Sequence, residues 1–292
     1  MNFICVKCDA PLLNLSNAYE CQKCQSVYPV EGNIPRFAKD DYVSNFGFEW
    51  NIHKNTQMDD KHSNESQKHF EVRFEGHLDK FKDAKVLDVG VGVGRYAQIA
   101  SKLGAKVVGI DLSSSVDVAK KNLSESDVEI VQADTFNLPF AKQSFDIIYS
   151  FGVLHHTPNP RLAFSKLVSL LKPGGTLCIT VYEKGSMYHT SRYVRKITKR
   201  LPNQFLYLLC LVYVLLMYIP YKYMGLRYGL LGKLLPISLS SNLFEAILDT
   251  FDCYSPSYQF TYKESEIYQW FKSEGLQNIE LKSEPVTVLG TK

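Results

Sequence analysis

The chain has 292 residues, which is enough for a full-sized α/β core and one small additional module. Hydrophobic residues make up 45% and charged residues 22%, as is typical of a globular protein. A net charge of +3 gives no support for nucleic-acid binding, because proteins that bind phosphates usually concentrate basic residues on one face. Residues 1–8 show no charged stretch followed by an apolar run, so we expect a cytoplasmic protein without a signal peptide.

Four of the seven cysteines form two C-x-x-C pairs near the start of the chain. Cys5 and Cys8 form the first pair, and Cys21 and Cys24 form the second, with twelve residues between the pairs. This spacing is typical of a four-cysteine zinc ribbon, whose metal stabilises a module too small to fold by its core alone. The sequence therefore predicts a structural Zn²⁺ site in residues 1–37. The alternatives are a ribbon that has lost its metal and a redox dithiol.

Residues 38–83 are polar, and we interpret them as a linker with a helix between residues 63 and 81. Residues 84–292 predict an α/β domain, because short β-branched runs alternate with helical segments as in a parallel sheet covered on both faces. The predicted strands are residues 85–89, 106–110, 128–131, 145–149 and 176–181. The predicted helices are residues 95–103, 160–171 and 263–273. A helical insertion is predicted at 186–262 and a last alternating segment at 278–288.

The strongest motif is the run VLDVGVGVGR at residues 86–95. An apolar strand ends in Asp88, and the glycines that follow permit a tight turn and a close approach of the backbone to a ligand. Asp111 closes the second strand, 23 residues later, where a carboxylate can hold two ribose hydroxyls. A dinucleotide-binding dehydrogenase is the alternative, but its fingerprint is G-x-G-x-x-G, whereas here G-x-G-x-G is followed by arginine.

Two further motifs follow at the expected spacing: FDIIYSFGVLHHTP at residues 145–158 and LLKPGGTL at residues 170–177. Together with the glycine turn, they resemble the class I S-adenosylmethionine-dependent methyltransferases over roughly residues 84–181. The LHHTP stretch is most similar to the quinone and sterol type. The resemblance implies a Rossmann-like sheet with flanking helices, and S-adenosylmethionine as the cofactor. The cofactor-binding residues that it implies are Asp88, Gly90, Gly92, Asp111, Leu112, Asp134, Phe136 and Ser150.

By the same resemblance, Gly90 and Gly92 border the methionine part of the cofactor and Asp111 binds the ribose. Asp134, at the end of the third strand, is expected at the adenine amine, with Leu112 and Phe136 on the two faces of the ring.

Catalysis of methyl transfer consists mainly of alignment, plus removal of a proton where the acceptor is a hydroxyl. His155 and His156 follow the fourth strand, at the sheet edge where ligands of open α/β folds bind, and histidine has a suitable pKa for a general base. We expect at least one of them to be catalytic, with a slight preference for His155. The alternative is that they brace the turn. Trp50 and His53, in the aromatic segment 45–53, are expected either over the cofactor or in packing.

The insertion contains an entirely apolar run at residues 205–219, preceded by five basic residues between Arg192 and Arg200. As a helix this run spans about 22 Å, short of the ~30 Å hydrocarbon core of a membrane. It therefore predicts a lid over an apolar substrate, an interfacial membrane helix or a dimer interface. Residues 248–258 predict a substrate-facing loop. Together with the segment NFGFEWN at residues 45–51, this region loosely resembles methyltransferases encoded among sugar and surface-polysaccharide genes.

These patterns favour methylation of a small-molecule or lipid- or sugar-linked acceptor. The alternatives are an RNA base methyltransferase with a zinc module, which the lack of a basic surface disfavours, and a ribbon-bearing partner protein with a vestigial cofactor pocket. We expect no nucleic-acid partner. We expect a cytoplasmic protein that contacts the inner membrane face peripherally or forms a homodimer.

Overall fold

In the computed structural model the described residues are 2–39, 42–59, 64–186, 191–224, 235–238, 240, 242–284 and 286–292. Parts of the predicted insertion, residues 187–190, 225–234, 239 and 241, lie outside this set, as does the first residue of the predicted helix 63–81.

The N-terminal module is a four-stranded antiparallel sheet with the strands in chain order. The strands are β1 (Leu12–Asn14), β2 (Ala18–Cys21), β3 (Val27–Glu31) and β4 (Ile34–Pro35). The module packs on the larger sheet: Phe3 and Phe37 belong to the same buried cluster as Phe140 and Phe145. The backbone N–H of Phe37 also donates to the carbonyl of Gln132 at 2.8 Å. The two parts of the chain therefore share one continuous core.

Two helices connect the module to the larger sheet. They are α1 (Ser44–Ile52) and α2 (Glu65–Arg73), and a single 3₁₀ turn (Leu78–Phe81) follows. The predicted helix over residues 63–81 is thus two shorter pieces, because the chain turns after Arg73. Phe70, Phe74 and Phe81 are fully buried against the sheet and hold the two pieces there.

The larger sheet has seven strands in the order β10-β11-β9-β8-β5-β6-β7. The strands are β5 (Lys85–Val89), β6 (Lys106–Asp111), β7 (Val128–Gln132), β8 (Phe145–Phe151), β9 (Leu171–Thr180), β10 (Gln277–Leu281) and β11 (Thr287–Thr291). β5 to β9 are parallel, and β11 is antiparallel to both of its neighbours. The strand order reverses between β5 and β8, and ligands of open α/β sheets bind at such a point.

Helices cover both faces of this sheet, as the sequence predicts. α3 (Arg95–Lys102), α4 (Ser115–Asn122) and α5 (Pro160–Leu170) connect the strands. α5 begins where expected, because the side chain of Asn159 accepts from the N–H of Leu162 at 3.1 Å and Pro160 occupies the first turn. The fold is the predicted Rossmann-like α/β sheet with an N-terminal four-cysteine module.

The insertion contributes α6 (Arg192–Thr198), α7 (Asn203–Met224) and α8 (Leu243–Tyr254), and α9 (Glu264–Ser273) follows it. The predicted loop at residues 248–258 is wrong in its first half: residues 248–254 belong to α8, where helical spacing buries an apolar face. One face of α7, with Leu206, Cys210 and Val214, packs against α8. No helix in the described part of the chain is long and apolar enough to span a membrane.

Candidate active site

The turn after β5 forms the first wall of the site. Gly90 and Gly92 have φ angles of +81° and +53°, in the left-handed region that glycine adopts without strain. A Cβ atom built on Gly90 would lie 2.1 Å from Cγ2 of Val153, which follows β8. The turn after β5 and the turn after β8 therefore approach each other where the strand order reverses, to a distance that only glycine allows.

Asp111, the last residue of β6, lies beside this turn. Its carboxylate accepts hydrogen bonds from the backbone N–H of Gly92 at 3.1 Å and of Ser113 at 2.9 Å, and from the Ser113 hydroxyl at 2.8 Å. Burial raises the pKa of Asp111. These bonds fix the orientation of the carboxylate at the site, where the sequence predicts a ribose-binding group. That role stays a prediction.

A cavity of about 330 Å³ opens at the carboxyl ends of β5, β6 and β8. Of the residues that the sequence predicts, Gly90, Gly92, Asp111, Leu112 and His156 line it. Trp50 lines it as well, whereas His53 is buried and bonds to the Tyr207 hydroxyl at 3.0 Å, so His53 serves packing.

Four predicted cofactor residues lie away from the wall of this cavity. Asp88 is buried, and burial raises its pKa to about 7. Ser150 is fully buried and its hydroxyl donates to the Val89 carbonyl at 3.3 Å. The Asp134 carboxylate closes its own turn by accepting from the N–H of Phe136 at 3.1 Å and from the Asn137 amide at 3.2 Å. The fourth residue, Phe136, packs on the core.

The two histidines have different environments. His155 is fully buried, neither of its ring nitrogens has a hydrogen bond among the described residues, and its ring lies 3.9 Å from that of Tyr182. His156 lines the cavity, and its Nδ1 donates to the Tyr258 carbonyl at 3.0 Å, which leaves Nε2 as an acceptor. Burial lowers the pKa of His156 to about 3, so the ring is neutral. Of the two histidines only His156 lines the cavity, so its position makes it the stronger candidate, the reverse of the preference drawn from the sequence.

Three carboxylates form the wall of the cavity on the side of α1 and α8. Glu49 belongs to α1, and Asp249 and Asp252 belong to α8. Burial raises the pKa of Asp249 and of Asp252 to about 6, and burial with the charges of these two raises the pKa of Glu49 well above its usual range. The Tyr182 hydroxyl donates to Asp252. We call Glu49, Asp249 and Asp252 the acidic wall.

Arg73 lies on the wall of the cavity at the end of α2. Its Nε donates to Glu284 at 2.6 Å and its Nη1 to the Tyr96 hydroxyl at 2.9 Å. The guanidinium lies 4.5 Å from the centre of the Phe151 ring, and the residue is only 9% exposed. Arg73 is thus held beside the cavity in an ion pair with the Glu284 carboxylate.

Sequence reasoning missed Arg73 and the acidic wall as site residues. Asp249 and Asp252 lie in the segment predicted to face the substrate, and their three-residue spacing puts them on one helix face. Glu49 lies in the aromatic segment that the sequence places near the cofactor. For Arg73 the sequence carries no signal.

The four cysteines of the N-terminal module come together as predicted. Their sulfur atoms all lie within 4.8 Å of one another. The Cys5–Cys24 and Cys8–Cys21 sulfur pairs are 3.4 and 3.5 Å apart. Four sulfurs bound tetrahedrally at ~2.3 Å from one ion would be separated by about 3.8 Å, so the cluster is compatible with zinc.

Residues 87–179 match the family model described as a methyltransferase domain. The Caenorhabditis elegans protein named phosphoethanolamine N-methyltransferase 2 is 35% identical over 132 residues, which cover 42% of this chain and 30% of that protein. The ubiquinone biosynthesis O-methyltransferase of Coxiella burnetii is 37% identical over 106 residues, which cover 33% of this chain and 42% of that protein.

The chain thus spans less than half of the length of the curated relatives it matches. Among solved structures, a Haemonchus contortus phosphoethanolamine N-methyltransferase 2 aligns with a TM-score of 0.49 and 21% identity, over 82% of this chain and 45% of that one. Residues 87–179, which hold most of the parallel strands of the seven-stranded sheet, are therefore similar in sequence to a methyltransferase domain.

Proposed function

We propose that this protein transfers the methyl group of S-adenosylmethionine to a small-molecule or lipid- or sugar-linked acceptor. The observation that carries the proposal is the cavity at the switch point, bordered by the glycine turn and Asp111 inside the segment that matches a methyltransferase domain. The cofactor supplies a methyl group already activated by a positively charged sulfur. The protein then has to align the reactants and accept a proton.

The donor end of the site would be formed by residues of β5, β6 and α2. The backbone of Gly90 and Gly92 would border the methionine part, and Asp111 would accept from the ribose hydroxyls. Arg73, although ion-paired with Glu284, lies on the cavity wall, and its guanidinium could donate a further hydrogen bond to the methionine carboxylate. These groups are all fixed by hydrogen bonds or by glycine conformation, so little reorganisation would accompany binding.

At the acceptor end, His156 is the candidate base. Its Nε2 has no hydrogen-bond partner among the described residues and lies 3.9 Å from Oδ1 of Asp252. A hydroxyl or amine of the acceptor can donate a proton to this nitrogen, and the neighbouring carboxylate would stabilise the imidazolium that forms.

The names of the relatives, which describe methyl transfer to phosphoethanolamine and in ubiquinone biosynthesis, support a small-molecule acceptor. The acidic wall disfavours the alternative of RNA, because its carboxylates would repel phosphates.

Calorimetric titration with S-adenosylhomocysteine tests the donor half of the proposal. We expect the unaltered protein to bind it, the Asp111→Asn variant to bind at least about tenfold more weakly, and the Asp127→Asn variant to be unchanged. Asp127 is an exposed carboxyl outside the cavity and serves as the matched control. Absence of binding by the unaltered protein would refute the proposal.

The proposal includes Zn²⁺ in the N-terminal module, with Cys5, Cys8, Cys21 and Cys24 as its ligands. Four thiolates leave no open coordination position, so the metal would stabilise the fold and take no part in methyl transfer. Since the aromatic residues of this module share the core of the larger sheet, the metal would also support the edge of that sheet beside β7.

A membrane-linked acceptor is favoured by the exposed face of α7. Phe205, Leu208, Leu209, Val212, Leu215 and Leu216 are each between 39% and 67% exposed, and they recur at helical spacing. Exposed basic residues of α6 and the turn after it precede this stripe. Such residues contribute about 1 kcal/mol each near an anionic membrane surface. We therefore propose peripheral contact of α7 with an anionic membrane.

Flotation with vesicles tests this contact. We expect the protein to float with anionic vesicles, more weakly as salt is raised, and the double variant Leu209→Glu, Leu216→Glu to remain at the bottom. Leu13→Glu is the control, since Leu13 is an exposed leucine of the N-terminal module. If the protein does not float but purifies as a tight dimer that the double variant breaks, α7 is an interface between two copies.

A further inference from the structure

We propose that the acidic wall recognises a positively charged group, an amine or guanidine, on the methyl acceptor. The inference rests on the proposed function and deepens it, because it names the chemical class of the acceptor.

The acidic wall is built from two helices that are far apart in the sequence. α1 supplies Glu49 and α8 supplies Asp249 and Asp252, and the helices are joined by a hydrogen bond from the Asn45 amide to the Ser255 hydroxyl at 3.1 Å. Both helices border the cavity, so their carboxylates lie on one side of it.

Two carboxylates of the wall are buried with an oxygen left without a partner. Glu49 is 1% exposed and Asp252 is 7% exposed, and neither Oε2 of Glu49 nor Oδ1 of Asp252 has a hydrogen bond within the described part of the chain. Burying polar groups in this way is unfavourable unless a ligand supplies the missing partner. Both residues line the cavity, so a ligand in the cavity can do so.

The positive groups around the wall act on its two aspartates only. The charge of Arg95, which lines the cavity, lowers the pKa of Asp249, and the charge of Arg195 lowers that of Asp252. Neither arginine lowers the pKa of Glu49. Burial raises this pKa most, and the charges of Asp252 and Asp249 raise it further. A cation in the cavity would lower these pKa values and bind with the release of protons.

Aromatic rings of the same cavity complete a site suited to a cation. Phe46, Trp50 and Tyr182 line it, and the Phe46 ring lies 4.8 Å from that of His156. Aromatic faces attract ammonium and guanidinium groups when these are removed from water. The candidate base His156 and the acidic wall therefore face the same space. The positive group would anchor the acceptor with its nucleophilic atom near Nε2.

The cofactor itself carries an ammonium group, and the experiment must separate that source from the acceptor. The probes are hexylammonium and 1-hexanol, which are similar in size and differ in charge. Each is titrated into the protein saturated with S-adenosylhomocysteine, and binding is followed by calorimetry or by saturation-transfer NMR. The variants are Glu49→Gln, Asp252→Asn and the control Glu125→Gln, which alters an exposed carboxyl outside the cavity.

We expect hexylammonium to bind at least about tenfold more tightly than 1-hexanol. This preference should be lost in Glu49→Gln and in Asp252→Asn and kept in Glu125→Gln. Affinity for S-adenosylhomocysteine should change by less than about twofold in Glu49→Gln. Thermal unfolding confirms that each variant folds.

Equal binding of the two probes by the unaltered protein would overturn the inference. A loss of about tenfold or more in affinity for S-adenosylhomocysteine in Glu49→Gln would overturn it differently, by assigning the wall to the ammonium group of the cofactor. If the unaltered protein binds no S-adenosylhomocysteine, the proposed function fails. The same titrations of the cofactor-free protein then decide the charge preference of the wall by itself.

Discussion

Replacing Asp252 by asparagine tests whether the acidic wall is under electrostatic strain in the folded protein. Asp252 is 7% exposed, it accepts a hydrogen bond from the Tyr182 hydroxyl, and it lies close to His156. Asparagine has the same shape and can accept the same hydrogen bond, but it carries no charge. The change therefore removes the ionisation of the side chain and little else.

The size and sign of the effect follow from the two states of the carboxyl. Burial raises its pKa to about 6 in the folded protein, compared with ~3.9 in an unfolded chain. The folded state holds the proton of Asp252 more tightly than the unfolded chain does. The resulting stabilisation of the fold is complete below pH ~3.9 and is lost as the pH rises through about 6. The difference between the two pKa values corresponds to about 3 kcal/mol in the free energy of unfolding. About 1.4 kcal/mol of this is lost between about pH 5 and pH 8.

Urea unfolding at these two pH values measures the effect. We expect the free energy of unfolding of Asp252→Asn, relative to that of the unaltered protein, to rise by about 1.4 kcal/mol from the lower to the higher pH. The comparison cancels the titrating groups outside the acidic wall. Glu49 and Asp249, whose pKa values the charge of Asp252 raises, change with it in the same direction. Parallel pH dependences of the two proteins would show that Asp252 titrates normally, and the electrostatic argument for the wall would then be wrong.

Three further predictions concern separate parts of the molecule. Cys21→Ser should lower the zinc content of the purified protein from one ion to none, measured by metal analysis, and should lower its melting temperature, because the N-terminal module shares the main core. His156→Ala should reduce turnover about a hundredfold or more with little change in affinity for S-adenosylhomocysteine, and a near-native rate would exclude it as the base. His155→Ala should instead destabilise the fold, seen as a lower urea midpoint, because it removes a fully buried ring.

The sequence was sufficient to predict the central sheet and the four-cysteine cluster. The strands from Lys85–Val89 to Phe145–Phe151 are apolar and β-branched because both of their faces are buried, and this pattern is local in the chain. The glycine turn and Asp111 were likewise predictable, since strict backbone geometry restricts which residues can occupy these positions.

The choice between the histidines could not be made from the sequence, because adjacent residues reach different environments only through their tertiary contacts. His156 faces the cavity because its Nδ1 bonds to the Tyr258 carbonyl, 102 residues later in the chain. Similarly, the apolar run of α7 contains no polar face, so its pattern did not indicate which side would pack against α8 and which would remain exposed.

Most residues of the donor end and most residues of the acceptor end come from different parts of the chain, with Arg73 and His156 as the exceptions, and this division has a functional consequence. The glycine turn and Asp111 lie within residues 87–179, the segment shared with the methyltransferase family. Glu49 precedes that segment, and Tyr182, Asp249 and Asp252 follow it. Because methyl transfer from one donor can serve many acceptors, the shared segment would determine the donor while the flanking helices determine the acceptor. A relative that keeps the glycine turn but replaces Glu49 and Asp252 by apolar residues should therefore bind the same cofactor and prefer an uncharged acceptor.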